Sequence, residues 1–246
     1  MHTIKNLFLL GGIIASLSLQ AQQVIENFDN VSTLPSNGWV FDNRSNMPST
    51  TTWDQGNGDA FPAHSGAVDS YIVNDTSTGV DLVCNWLIMP NIGFVDQLSF
   101  FTRSQGLQNE VTRLLVMYSP TGTINTGDCT SSSPAKSPQG VSAFGDFQTI
   151  LTINNSQSAG GYPQDWTQFT ANINGSGRVA FLYFMDTGSP GFNAGTIAID
   201  TITANTVSAS TPQNVPAISF YGFLMLVFLV LLWVYISDNK FGERMS

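Results

Sequence analysis

The sequence predicts an all-β protein, an antiparallel jelly-roll β-sandwich set between two apolar chain ends. Three observations lead there. Between residues 22 and 215, apolar and β-branched residues come in runs of strand length, separated by clusters of Gly, Pro, Asn, Asp and Ser that supply turn geometries. No part of that region sustains a 3.6-residue apolar period, so any helices there are short. The region is rich in Gly, Thr, Ser, Asn, Phe and Val and poor in Lys, Glu and Ala, a balance that suits pleated, half-buried surfaces. Many short strands without helices bury their apolar faces by packing sheet on sheet.

The chain opens on the layout of a secretory signal over residues 1–21. His2 and Lys5 precede an apolar segment from Leu7 to Leu19, ended by Gln20 and Ala21. Cleavage is expected after Ala21; because Leu19 is large for its place before the cut, the alternative is an uncleaved anchor. Residues 22–207 then form one domain, a length that supports one sizeable core. Val24 to Phe28 reads as the first strand, closed by the turn-rich Asn30 to Gly38 and followed by Trp39. The polar stretch from Phe41 to Gly66 has no periodicity and reads as a surface loop system.

Strand-like runs resume at Val68 to Val73, Trp86 to Met89, Gln97 to Thr102 and Arg113 to Tyr118. A second loop system, Ser119 to Asp146, has almost no apolar residues, and is expected to be mobile or pinned by a disulfide. Phe147 to Ile153, Trp166 to Ala171, Arg178 to Met185 and Thr196 to Ile202 complete the set. Val179 to Met185, VAFLYFM, is apolar at both alternating sets of positions, which predicts a central strand covered on both faces. The two cysteines, Cys84 and Cys129, both fall in the exported region, where an oxidising compartment favours a bridge between them over two unrelated thiols.

Residues 208–217 read as a linker. Ile218 to Ile236, ISFYGFLMLVFLVLLWVYI, carries no charge and as a helix would reach about 28 Å, the hydrocarbon thickness of a bilayer. Tyr221, Trp233 and Tyr235 lie toward its ends, and Lys240 and Arg244 follow in a tail over 237–246, which places that tail in the cytoplasm. The expected protein is therefore exported and membrane-anchored, with its main domain outside the cytoplasm. Its 17 acidic against 8 basic side chains, a net charge of -9, argue against nucleic acid and anionic lipid as partners and suit divalent cations.

Six pieces occur in order: ENFDNVSTLPSNGW (Glu26 to Trp39), AHSG (Ala63 to Gly66), NWLIMP (Asn85 to Pro90), LLVMYSPTG (Leu114 to Gly122), WTQFTANI (Trp166 to Ile173) and IAIDTI (Ile197 to Ile202). In that order they resemble bacterial choice-of-anchor J domains, which are similar to the cleaved adhesin domains of gingipains and more distantly to MAM domains and jelly-roll carbohydrate-binding modules. Val215 to Gly222 resembles an IPTL-type sorting signal, in which a short Pro-containing motif leads into a transmembrane helix. Ala217 and Ile218 stand where that signal has Thr-Leu, and the tail carries spaced single cations in place of an Arg cluster. A sorting enzyme is the partner this end implies.

The resemblance implies a structural calcium site, with Asp29 after Phe28 and Asp200 in the last strand meeting because the first and last strands are neighbours. Glu26 would add an oxygen, and carbonyls near Ser65 and Gly66 would complete a shell of roughly six to eight oxygen ligands. Otherwise these carboxylates only accept turn hydrogen bonds.

Catalytic chemistry has little support in the sequence. His64 is the only histidine beyond the leader, and the cysteine spacing makes no zinc site. A glycosidase would need a carboxylate pair drawn from Asp54, Asp59, Asp75 and Asp186, so a surface hydrolase ranks last. The reading is a non-enzymatic recognition module for glycan or for a surface or matrix protein. Trp53, Asp54, Asp59 and Tyr162 are its candidate ligand-binding residues, with Phe192 a further loop aromatic. The alternative is a structural or assembly component of the envelope.

Overall fold

The computed structural model describes residues 20–45, 52–75, 82–105, 111–129, 144–154, 156, 158–186, 195–208 and 224–233. Residues 20–208 form a β-sandwich of two antiparallel sheets. Its strands are β1 (Gln20–Glu26), β2 (Val40–Asn43), β3 (Asp54–Gln55), β4 (Ile72–Asp75), β5 (Leu82–Ile88), β6 (Phe94–Arg103), β7 (Leu114–Ser119), β8 (Gln148–Ile153), β9 (Thr167–Ser176), β10 (Arg178–Asp186) and β11 (Thr196–Ser208). The first sheet runs β3-β4-β11-β6-β9, with β1 also on β11; the second runs β2-β5-β10-β7-β8.

The first and last strands pair along their length, from Gln20 opposite Ser208 to Glu26 opposite Ile202. β11 is long enough to pair β4 through Thr196–Ile199 and β1 beyond its bulge. Two strands lie inside the stretch expected to be loop from Phe41 to Gly66. β2 and β3 are short and half-buried, and they escape a periodicity search because each is an edge strand of two to four residues. The leader expected over 1–21 lies outside the described residues except for Gln20 and Ala21, which already belong to β1.

Alternation places one side chain of each pair inward. Leu98, Phe100, Ile199, Ile202 and Ala204 of the first sheet meet Val83, Leu87, Leu114, Val116, Phe181 and Tyr183 of the second, with the Phe100 and Phe181 rings edge to face at 4.9 Å. The other face of the second sheet is apolar as well: Leu82, Cys84, Trp86, Leu115, Met117, Leu182 and Phe184 pack under Phe144 and Phe147. β10 is thus covered on both sides. Cys84 is bridged to Cys129 across a Cα–Cα distance of 6.4 Å, which ties the covering segment to β5. Residues 130–143 of the second loop system lie outside the described residues.

Residues 224–233, within the span expected to cross a membrane, are helical and their apolar side chains are exposed, from Val227 at 38% to Trp233 at 72%. No helix among the described residues is long and apolar enough to cross a membrane. The remainder of 218–236, the linker over 209–217 and the tail lie outside the described residues.

Candidate functional site

The turn after β1, the excursion between β3 and β4, and the bulge in β11 meet at one place. Gln55 builds the junction. Its Oε1 accepts the Val31 N–H at 2.8 Å, and its Nε2 donates to the carbonyls of Phe28 at 2.9 Å and Asp69 at 2.7 Å. One amide side chain thereby holds the Asp29 turn against the strand that follows the excursion. Nothing in the sequence around Gln55 distinguished it from neighbouring loop polars.

The excursion lies on the outer face of the first sheet and is fixed there by rings. Phe61 stacks on Tyr71 with centroids 4.9 Å apart, and Trp166 meets both edge to face. The Trp166 Nε1–H donates to the Pro62 carbonyl at 2.9 Å, and the Arg103 guanidinium sits 4.3 Å over the Phe61 ring. The exposed His64 ring lies over Phe101 at 3.5 Å and 17°, with its Nδ1 at 3.0 Å from Thr201 Oγ1. His64 therefore anchors the excursion to β6 through Phe101 and to β11 through Thr201.

Beside it, Asp200 is fully buried, and accepts N–H donors from Ser65 at 3.0 Å and from Thr201. Burial pushes its carboxyl above the usual carboxylate range, against the opposing pull of those N–H groups. Asp29 approaches from the other side: a Cβ placed on Gly66 would stand 3.2 Å from Asp29 Oδ1, and Gly66 holds a φ of +83°. Phe28 and Thr201, the residues flanking the two carboxylates, have φ of 56° and 50°, a region bulky and β-branched residues rarely occupy.

Glu26 does not join them. Opposite Ile202 in the pairing, it faces inward and lines a cavity of about 160 Å³ with Trp39, Met89 and Ile202, whereas Asp200 faces outward. Its Oε1 accepts the Phe28 N–H at 2.8 Å; burial, and to a smaller degree the neighbouring Asp29 charge, raise its pKa. Among the described residues, no three His, Cys, Asp or Glu side chains come together to hold a metal ion. Two residues before Asp29, Asn27 Oδ1 is buried without a hydrogen-bond partner.

The expected aromatic platform is corrected by burial. Trp53 is 2% exposed and packs into the core between the sheets, and Tyr162 is 3% exposed with its hydroxyl 2.6 Å from Thr102 Oγ1. Both occupy apolar space that the neighbouring polar sequence does not announce; burial drives the Tyr162 hydroxyl pKa well above its usual value. Asp54 and Asp59 are on the surface. Asp59 lines an open cleft of about 440 Å³ with Gly56, Asn57, Gly58, Val68 and Asp69. Tyr71 fixes its floor, its hydroxyl donating to the Asn57 carbonyl at 2.8 Å and accepting the Asn57 N–H at 2.9 Å. Gly58 keeps the walls close, since a Cβ there would stand 2.7 Å from Val68 Cγ2.

No protein-family model and no curated protein matches the chain. Among solved structures the chain shares its fold with the K2 cleaved adhesin domain of Lys-gingipain, at a TM-score of 0.52 and 16% identity, covering 74% of this chain and 99% of that one. The K1 cleaved adhesin domain of Lys-gingipain from Porphyromonas gingivalis W83 aligns at a TM-score of 0.49 and 18% identity, over 75% of this chain and 98% of that one. A family 29 carbohydrate-binding module aligns at 0.38 and 15% identity, over 81% and 95%.

Proposed function

We propose that this chain is a jelly-roll recognition module, exported and tethered through residues 218–236, that binds glycan at the cleft between residues 56 and 69. The observation that carries the reading is the cleft itself. It is open, and Asp59, Asp69 and Asn57 stand on a backbone held by Tyr71. Carboxylates and amides accept and donate to paired sugar hydroxyls, and a rigid rim spares the ordering cost of binding. The same fold serves as an adhesin domain in Lys-gingipain.

Calcium completes this reading as a structural clip held by Asp29, Asp200 and carbonyls near Ser65 and Gly66. It would bridge the Asp29 and Asp200 carboxylates and so tie the turn after β1 to β11. With free calcium at 100 times its dissociation constant, the fold gains about 2.7 kcal/mol. Identical melting curves in calcium and in chelator overturn the clip while leaving the cleft untouched.

The cleft is tested by displaying the protein to a glycan array and repeating with Asp59→Ala and Asp69→Ala. Each variant is expected to lose roughly tenfold in affinity, the worth of one charged hydrogen bond. A blank array together with capture of a matrix or surface protein points instead to a protein adhesin and ends the glycan reading.

A further inference from the structure

Away from the excursion, the side chains on the outer face of the first sheet are exposed or half-buried among the described residues, and they are ordered by strand register. Gln23 of β1 stands opposite Asn205 of β11, Asn205 opposite Gln97 of β6, and Gln97 opposite Asn172 of β9. The row is a ladder of amides across four adjacent strands. The Gln23 Nε2 donates to Asn205 Oδ1 at 3.4 Å and the Gln97 Nε2 donates to Asn172 Oδ1 at 3.1 Å. The parallel row is Ile25, Thr203, Ser99 and Thr170, by the same three pairings. Directly beneath, Leu98, Ala171 and Ala204 are buried, so alternation fixes the polar set outward.

The geometry points to this face as a second binding surface, one that takes an extended, neutral polysaccharide chain along the amide ladder. It rests on the glycan reading above for the class of ligand, and goes beyond it in place and in ligand form. Each amide has two N–H donors and an oxygen with two lone pairs, and so can pair with a hydroxyl that both donates and accepts. The two bonds within the row use one donor of Gln23 and of Gln97 and one acceptor of Asn205 and of Asn172, which leaves donors and acceptors of both kinds along it. Strands lie about 4.8 Å apart, close to the length of one pyranose unit, so four strands offer one amide per sugar over a run of about 14 Å.

The two rows contain no charge on a chain whose net charge is -9, which favours a neutral chain over a polyanion. They also lack the aromatic and Met side chains that fill the centre of a protein interface, Ile25 at 55% exposure being the only large apolar residue among the eight. Phe101, two residues along β6 from Ser99, carries the exposed His64 ring stacked flat upon it. That ring bounds the face with a plane on which a sugar can stack.

Affinity electrophoresis of the full chain in detergent tests the assignment, with gels containing xylan, mannan or mixed-linkage glucan, and polygalacturonate as the acidic comparison. Retardation by at least one neutral polymer and none by polygalacturonate is expected. The double variant Gln97→Ala/Asn172→Ala should weaken that retardation at least tenfold, while Ile124→Ala, at an exposed position outside both rows, runs as the original protein. Melting curves of all three confirm that they fold. If the double variant runs as the original protein, or no neutral polymer retards it, the ladder is not a glycan surface. Loss of polymer binding through Asp59→Ala alone, with the ladder variant unaffected, refutes the face and leaves the cleft standing; a blank glycan array removes both.

Discussion

The two outer faces of the sandwich solve opposite problems. On the second sheet, Cys84, Trp86, Leu115, Met117, Leu182 and Phe184 are apolar and demand a cover, which Phe144, Phe147 and a disulfide supply. On the first sheet the cover is partial and of mixed character: the 56–71 excursion is held by the Phe61, Tyr71 and Trp166 rings and by hydrogen bonds from Gln55, from Trp166 to Pro62 and from Ser65 to Asp200. Beyond it the face is left to amides and hydroxyls. A covalently pinned lid covers the apolar face, and a lid held by rings and hydrogen bonds covers the face on which the cleft and Asp200 lie. Strong apolar burial on both sides would leave no surface on which to recognise anything polar.

The comparison breaks most visibly at the disulfide. Replacing both cysteines by Cys84→Ala/Cys129→Ala releases a loop with a sequence separation of 45 residues. The chain-entropy estimate is a loss of about 4 kcal/mol, read as a lower urea midpoint. Calcium response and glycan binding should survive under native conditions, because neither touches that lid. Loss of either at full folding would show that the two faces are coupled.

On the other face the largest single effect is expected from Gln55→Ala. It removes four hydrogen bonds, three of them partly buried and one long at 3.4 Å, each worth roughly 1 kcal/mol or less, and so costs about 2–3 kcal/mol. Because Gln55 holds the Phe28 to Val31 turn, the variant should also lose calcium-dependent stabilisation. Gln55→Glu keeps the acceptor for Val31 and removes the donors, and falls between. A variant that melts like the original protein would mean the excursion is held by its rings alone.

How far the sequence reveals this division depends on the face. The two-sided apolar run VAFLYFM announced a strand covered on both sides, and β10 is one. The turn-separated runs announced the sandwich, and the pairing of first with last strand followed from the resemblance and is seen in β1 and β11. The polar face was far less legible. Trp53 and Tyr162 sit in polar sequence and point inward, since burial of a loop aromatic is decided by what folds over it. Gln55, and the row of Gln23, Asn205, Gln97 and Asn172, acquire meaning only through pairing between strands as much as 182 residues apart. No local pattern carries that register.

The sharpest separation of the two lids is their response to pH. A disulfide does not titrate, whereas Asp200 of β11, beneath the other lid, is a buried carboxyl whose pKa is raised above its unfolded value of 3.8. Such a group stays protonated in the fold when it has already ionised in the unfolded chain. Between the two pKa values the folded state binds more protons, so its contribution to stability is full below about pH 4 and fades as pH rises through the folded value. In chelator, the melting temperature of the original protein should therefore fall with rising pH more steeply than that of Asp200→Asn, which has nothing to ionise there. Calcium reverses the sign, because a bound cation favours the ionised form, and should restore stability at neutral pH in the original protein and not in the variant. Parallel pH profiles for the two proteins in chelator would place the titrating group elsewhere, with Glu26→Gln the next variant to measure.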